Sequence, residues 1–162
     1  PLEMEYQEHL PKRYRDLLQI GREEGIKPTF EYISFFKSVY NLADAWRIVQ
    51  ETDDEDSTLI LDAFHTWNSN SDMELLREIP VEKISHYHID DAHPDKAPAT
   101  QKDPDRVMLG EGQIDLAAEI ALLKGKGYDK TMSLELFNEK LWEQDPLEVI
   151  SVGLKRMKEL WD

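Results

Sequence analysis

The sequence predicts an α/β fold with a parallel sheet, on three observations. Four strand-like runs lie near residues 26–33, 57–63, 82–90 and 130–137, a helical stretch follows each, and each run carries a carboxylate or an imidazole close to its end. Repeated strand, loop and helix units are the pattern of a parallel sheet or barrel. In such folds ligands bind at the carboxyl ends of the strands.

Taken in order, Tyr14, Leu17, Leu18 and Gly21 recur at helical spacing over residues 11–24, with Pro11 expected in the first turn and Gly25 as the stop. The first strand, 26–33, carries Glu31. Asn41 then caps a helix whose inner face is Leu42, Ala45, Trp46 and Val49. The acidic run 51–56 lacks the alternating ligands and glycine of a calcium loop, so it reads as a solvated connector.

The second strand is the run around which the rest is organised, because it ends in Asp62 with His65 just beyond. A carboxylate beside an apolar run is costly unless it is paired, hydrogen-bonded or bound to a cation. Ser71 or Asp72 caps a short helix through Leu75, Leu76 and Ile79, and the third strand follows with His86, His88 and Asp91. Residues 93–107 are polar, contain three prolines, and read as a long loop without secondary structure, a binding loop or lid. Asp115 starts a helix through Leu116, Ile120 and Leu123, and the fourth strand carries Glu135. Asp145, Pro146 and Glu148 mark the start of the last helix, with an expected inner face of Val149, Val152, Leu154, Met157 and Leu160. Trp46, Trp161 and Met157 are expected in the core or an interface.

Composition narrows the function classes. The 162 residues suit one domain. The lack of cysteine excludes disulfides, zinc–thiolate sites and thiol nucleophiles, and fits a reducing compartment. No apolar run approaches the ~20 residues of a membrane span, so a cytoplasmic chain with no membrane partner is expected. The net charge of −15 opposes binding to phosphate backbones, and no nucleic-acid partner is expected. The short basic stretch Lys12-Arg13-Tyr14-Arg15 reads as a solvated helix face.

Four βα units with a leading helix amount to half of an eight-stranded barrel, which generally needs ~200 or more residues. The chain also opens on Pro1 where an initiator Met would stand, and removal of that Met would not supply further strands. The sequence therefore reads as the carboxyl-terminal part of a longer protein. Its open sheet edges would be covered in a homodimer or by a separate amino-terminal half.

Glu31, Asp62, His88 and Glu135 bring three carboxylates and one imidazole from four strand ends. For any one of them a salt bridge or helix cap is an equal explanation, and the joint pattern is what points to a metal. Three negative charges need a cation to share a small site. Hard oxygen ligands with one nitrogen suit Mn²⁺ or Mg²⁺, with Co²⁺ and Zn²⁺ as alternatives.

The chain resembles the sugar isomerase/epimerase superfamily of xylose-isomerase-like TIM barrels, which includes inosose dehydratases, inosose isomerases and ketose 3-epimerases. The matching pieces, in family order, are Phe30-Glu31-Tyr32, Leu61-Asp62-Ala63-Phe64-His65, His88-Ile89-Asp90-Asp91, Arg106 with Gly110-Glu111-Gly112, Gly127-Tyr128-Asp129 and Ser133-Leu134-Glu135-Leu136-Phe137. The resemblance runs from about Tyr14 onward and implies the carboxyl-terminal half of a TIM (β/α)8 barrel, about four parallel strands with about five helices.

It further implies one divalent ion held by Glu31, Asp62, His88 and Glu135, with His65 and Arg106 binding substrate oxygens or His65 supporting the ligands instead. Leu109 stands where the family usually has proline, which bears on the loop shape, and the first four strands of the family are absent. The implied chemistry is isomerisation, epimerisation or dehydration of a sugar, keto-sugar or polyol through an enediolate, with Glu31 and Glu135 as acid and base.

Two other readings stand beside it. One is a phosphodiesterase like the abasic-DNA endonucleases that share this barrel, which the charge and the few spare histidines, His9, His86 and His93, oppose. The other is a half-barrel that binds metal without turnover.

Overall fold

The computed structural model describes residues 2–162, with side chains from residue 9 onward; Pro1 lies outside the described residues. The chain runs α1 (Leu2–Glu24), α2 (Leu42–Thr52), β1 (Leu59–Asp62), α3 (Ala63–Asn68), β2 (Ile84–Ile89), β3 (Asp91–Ala92), β4 (Arg106–Val107), α4 (Leu116–Gly125), β5 (Met132–Leu134), α5 (Glu139–Trp142) and α6 (Pro146–Trp161), with short 3-10 turns between. β1, β2 and β5 form a parallel sheet in that order, the parallel α/β architecture that the sequence predicts.

The segment expected as the first strand joins this sheet at one point. Phe30 forms a parallel bridge with Leu59, its N–H donating to the Thr58 carbonyl at 3.0 Å and its carbonyl accepting from Ile60 N at 2.8 Å. Pro28 has no N–H to offer, which limits the ladder on its amino-terminal side. Tyr14 of α1 ties this edge down, its hydroxyl donating to the Thr58 carbonyl at 2.8 Å and accepting from Thr58 N at 3.0 Å.

The core lies between the sheet and its helices. Leu59, Leu61, Ile84, Tyr87 and Ile89 meet Leu18, Leu42, Ala45, Ile48, Ile120 and Leu123. Asn41, Asp115 and Asp145 cap α2, α4 and α6 through side-chain acceptors, as expected. The short helix after Asp72 is a 3-10 turn, Met73–Arg77. No helix among the described residues is long and apolar enough to cross a membrane.

Four expectations are corrected. Pro11 lies inside α1, since the helix begins nine residues earlier at Leu2, and its ring is buried. The acidic run after α2 is anchored, with Arg22 bridging Asp54 and Asp56 and Lys27 pairing with Asp56 at 2.9 Å. In α6, Val152 and Leu154 face solvent. The helix meets the core along Gly153, Met157, Leu160 and Trp161, and the residues flanking the buried Gly153 are carried away from the sheet at about 100° per residue. Finally, residues 93–107 are tied down: β3 and β4 pair antiparallel at the base, and the buried Gln101 side chain bonds His93 and Lys96.

The hub of that region is Asp91. Its carboxylate accepts from Ala92 N at 2.9 Å and from Gly110, Gly112 and Ile114 N at 3.0 Å each, which accounts for the Gly-Glu-Gly motif. Gly110 has φ +80°, and a Cβ on Gly112 would collide with the Ala92 carbonyl and the Asp91 carboxylate. Gly112→Ala is expected to cost ~1–3 kcal/mol, the range for forcing atoms into a packed site, read as a lower urea midpoint with unchanged slope. A midpoint equal to the parent's would show that the turn relaxes freely.

α4 buries a carboxylate, Glu119, against the sheet. The Tyr87 hydroxyl donates to its Oε2 at 2.6 Å, and burial pushes its pKa up to about 7. The folded chain therefore holds this proton more tightly than the unfolded chain. The associated stability is present below the unfolded carboxylate range and is lost as pH rises through about 7. Glu119→Gln is expected to remove a pH-dependent change on the order of 3 kcal/mol between pH ~4 and ~8. Urea unfolding across that range checks it, and a variant retaining the full pH dependence would exclude Glu119 as its source.

Candidate metal centre

Strand parity builds the site. Side chains alternate faces along a strand, and the register pairs Ile60 with His86, Asp62 with His88 and His88 with Ser133. Ile60, Asp62, His86, His88, Ser133 and Glu135 therefore share one face of the sheet, and Glu31, the residue after the Phe30 bridge, joins them. Tyr87 and Ile89 point into the helix layer, which is why they belong to the core.

At the carboxyl edge four side chains converge. His88 Nδ1 lies 3.0 Å from Glu31 Oε1, 3.3 Å from Glu135 Oε2 and 3.7 Å from Asp62 Oδ2. One ligand atom from each of Glu31, Asp62, His88 and Glu135 lies within 4.8 Å of the others. Asp62 is fully buried, whereas the other three remain partly open to solvent. The donor set fits a divalent first-row ion or Mg²⁺: oxygen donors of high charge, one nitrogen, and a common focus.

The electrostatics of the site call for positive charge at that focus. Burial opposes a proton on His88, yet the nearby carboxylates of Asp62, Glu135 and Glu31 outweigh it and raise its pKa to about 11. Burial likewise opposes charge on Asp62, but His88, Arg106 and His65 bring its pKa down to about 2. His88, 3.3 Å away, also holds Glu135 below the usual carboxylate range.

His65 and Arg106 lie directly behind the four. Arg106 Nη1 reaches Asp62 Oδ2 at 3.0 Å and Glu135 Oε2 at 3.4 Å and makes a close ion pair with Asp90. Its Nη2 donates to Asp103 Oδ1 at 3.0 Å and to His65 Nε2 at 3.1 Å. The guanidinium lies over Phe64 at 4.8 Å and Phe137 at 5.4 Å. Burial keeps His65 neutral by lowering its pKa, consistent with its accepting role. Both side chains are enclosed, Arg106 at 1% and His65 at 2% exposure.

Two carboxylates of this network carried no expectation of their own. Asp90 is fully buried, accepts from Phe64 N at 2.9 Å, and has its pKa pushed up by burial and by the charge of Asp62. Asp103 comes from the 93–107 segment. The signal for Asp90 was its place two residues after His88, where strand parity puts it on the same face. His86 is not one of the four converging ligands, but its ring packs edge-on against His88 at 5.1 Å and its Nε2 lies 2.8 Å from Ser133 Oγ.

The family model described as xylose isomerase-like TIM barrel matches residues 2–160. The inosose isomerase of Bacillus subtilis (strain 168) is 32% identical over 141 residues, 86% of this chain and 50% of that protein. A 3-dehydroshikimate dehydratase of Pseudomonas putida is 29% identical over 133 residues, 76% of this chain and 20% of that protein. A crystal structure described as the IOLI protein with a binding zinc atom superposes with a TM-score of 0.91 at 29% identity, covering 98% of this chain and 57% of that one. The chain spans about half the length of the inosose isomerases it matches.

Proposed function

Because the chain belongs to the xylose isomerase-like TIM barrel family, we propose that it carries the metal centre of a divalent-metal-dependent isomerase, epimerase or dehydratase acting on a sugar, keto-sugar or polyol. The observation that carries this reading is the convergence of Glu31, Asp62, His88 and Glu135 on one focus. The relatives named as inosose isomerase and 3-dehydroshikimate dehydratase support the reaction class. The zinc named for the IOLI structure supports a divalent ion. Mn²⁺ and Mg²⁺ suit the oxygen-rich donor set best, with Co²⁺ and Zn²⁺ as alternatives.

When bound, a divalent ion supplies positive charge beside a substrate carbonyl, which acidifies the adjoining C–H. The chain's own residues handle the proton. Glu31 and Glu135 stand on opposite edges of the strand array and stay partly open, so each can face a bound substrate from its own side. One removes the proton and the other returns it. Asp62, buried and held ionised, serves only as a ligand.

Substrate contact by Arg106 or His65 requires these enclosed side chains to open. In the arrangement seen, Arg106 is a positioning residue that sets the orientation of Asp62 and Glu135. Among the described residues nothing pairs with the outer edges of the sheet at β5 and at the Phe30 bridge. We place the site within a closed barrel whose other strands come from an amino-terminal half or a second copy.

Glu135→Gln retains size and an oxygen donor but cannot carry the proton. It is expected to cut turnover by ~10²–10⁴-fold in assays on inososes and ketoses with added Mn²⁺. Near-normal turnover would remove Glu135 from proton transfer.

A further inference from the structure

A cavity of about 370 Å³ lies between the end of α3, the turn after it and the start of α4, on the side of the sheet to which Tyr87 points. Trp67, Met73, Ile114 and Leu122 form apolar walls, and Glu119 and Asn70 line it as well. The size falls within the range of small-molecule sites, which typically combine apolar walls with a few placed polar groups.

We propose that this cavity binds a small organic cation, an amine carried on an apolar or aromatic body. The Tyr87 hydroxyl engages Glu119 Oε2, and among the described residues no other side chain pairs with this carboxylate. Oε1 is therefore left as an acceptor for a ligand in the cavity. Among the described residues no cation pairs with this buried carboxylate, and an ammonium group supplies both a donor and the opposite charge. Trp67 provides an aromatic face for the body or the cation itself. Asp115, on the same wall, adds negative potential and leaves the cavity hostile to anions.

The site is joined to the metal centre through one short path. Thr66 lines the cavity, and its hydroxyl donates to the Asp62 carbonyl at 2.6 Å. The proposal rests on the cavity and Glu119, independently of the reaction proposed above.

The test is calorimetric titration of the full chain with benzylammonium at pH 8, with benzyl alcohol as the uncharged control. Benzylammonium is expected to bind, benzyl alcohol to bind far more weakly, and Glu119→Gln to weaken the cation by about tenfold or more, the scale of losing a charge-assisted hydrogen bond. Ala118→Trp, a change at an exposed cavity-lining position, is expected to block binding without altering the carboxylate. Glu135→Gln is expected to leave it unchanged, which separates this cavity from the metal centre. Absence of binding, binding that survives both Glu119→Gln and Ala118→Trp, or binding lost in Glu135→Gln would overturn the proposal.

Discussion

Asp62→Asn is expected to lower the affinity for a divalent ion by at least ~100-fold, the upper end of the cost of losing an outer partner of a metal ligand, while the fold persists. The separation follows from the two oxygens of Asp62. Oδ1 accepts from His65 N at 2.6 Å and caps α3, a role that an asparagine amide oxygen can fill. Oδ2 faces Arg106 at 3.0 Å and His88 at 3.7 Å, where the charge matters. Asp62→Ala would remove the cap as well and confuse the two effects. Competition against a chromophoric chelator measures the affinity, and an Asn variant binding as tightly as the parent would take Asp62 out of the ligand set.

Arg106→Met is expected to destabilise the chain by ~3–5 kcal/mol, the cost of leaving a buried charge without its partner. Methionine replaces much of the stem between Phe64 and Phe137 but none of the charge. Asp62 and Asp90, both fully buried, would then face each other without the guanidinium between them. Adding Asp90→Asn is expected to restore part of the loss, since one of the two charges is removed. Urea unfolding of the single and double variants reads both. A single-variant loss below ~1 kcal/mol would place Arg106 among weakly coupled surface ion pairs.

The parallel architecture was legible because strand and helix periods differ, and the runs at 57–63, 82–90 and 130–137 contain β1, β2 and β5. The convergence of Glu31, Asp62, His88 and Glu135 was legible from their repeated place at strand ends, where parity and register turn a one-dimensional pattern into a cluster. The run 26–33 pairs only at Phe30, because a proline inside an apolar run withholds a donor that composition alone does not weigh. α6 was read with too wide an apolar face, since Gly153, which contributes no hydrophobic signal, marks its line of approach.

Arg106 shows the deeper limit. From sequence it is an arginine between a polar loop and a short apolar run, expected to reach a substrate. Its enclosure by Asp62, Asp90, Asp103, Glu135 and His65 depends on contacts from 3 to 44 residues away. Asp90 was overlooked for the same reason, as its counter-charge arrives from β4 through the β3–β4 pairing.

Native mass spectrometry of the chelator-stripped chain after addition of Mn²⁺ tests the shared metal centre most directly, with Asp62→Asn and His88→Ala run alongside. The expected result is one divalent ion per parent chain and little or none on either variant. A parent chain that stays metal-free, or variants that retain the ion, would contradict the assignment of Glu31, Asp62, His88 and Glu135 as one site.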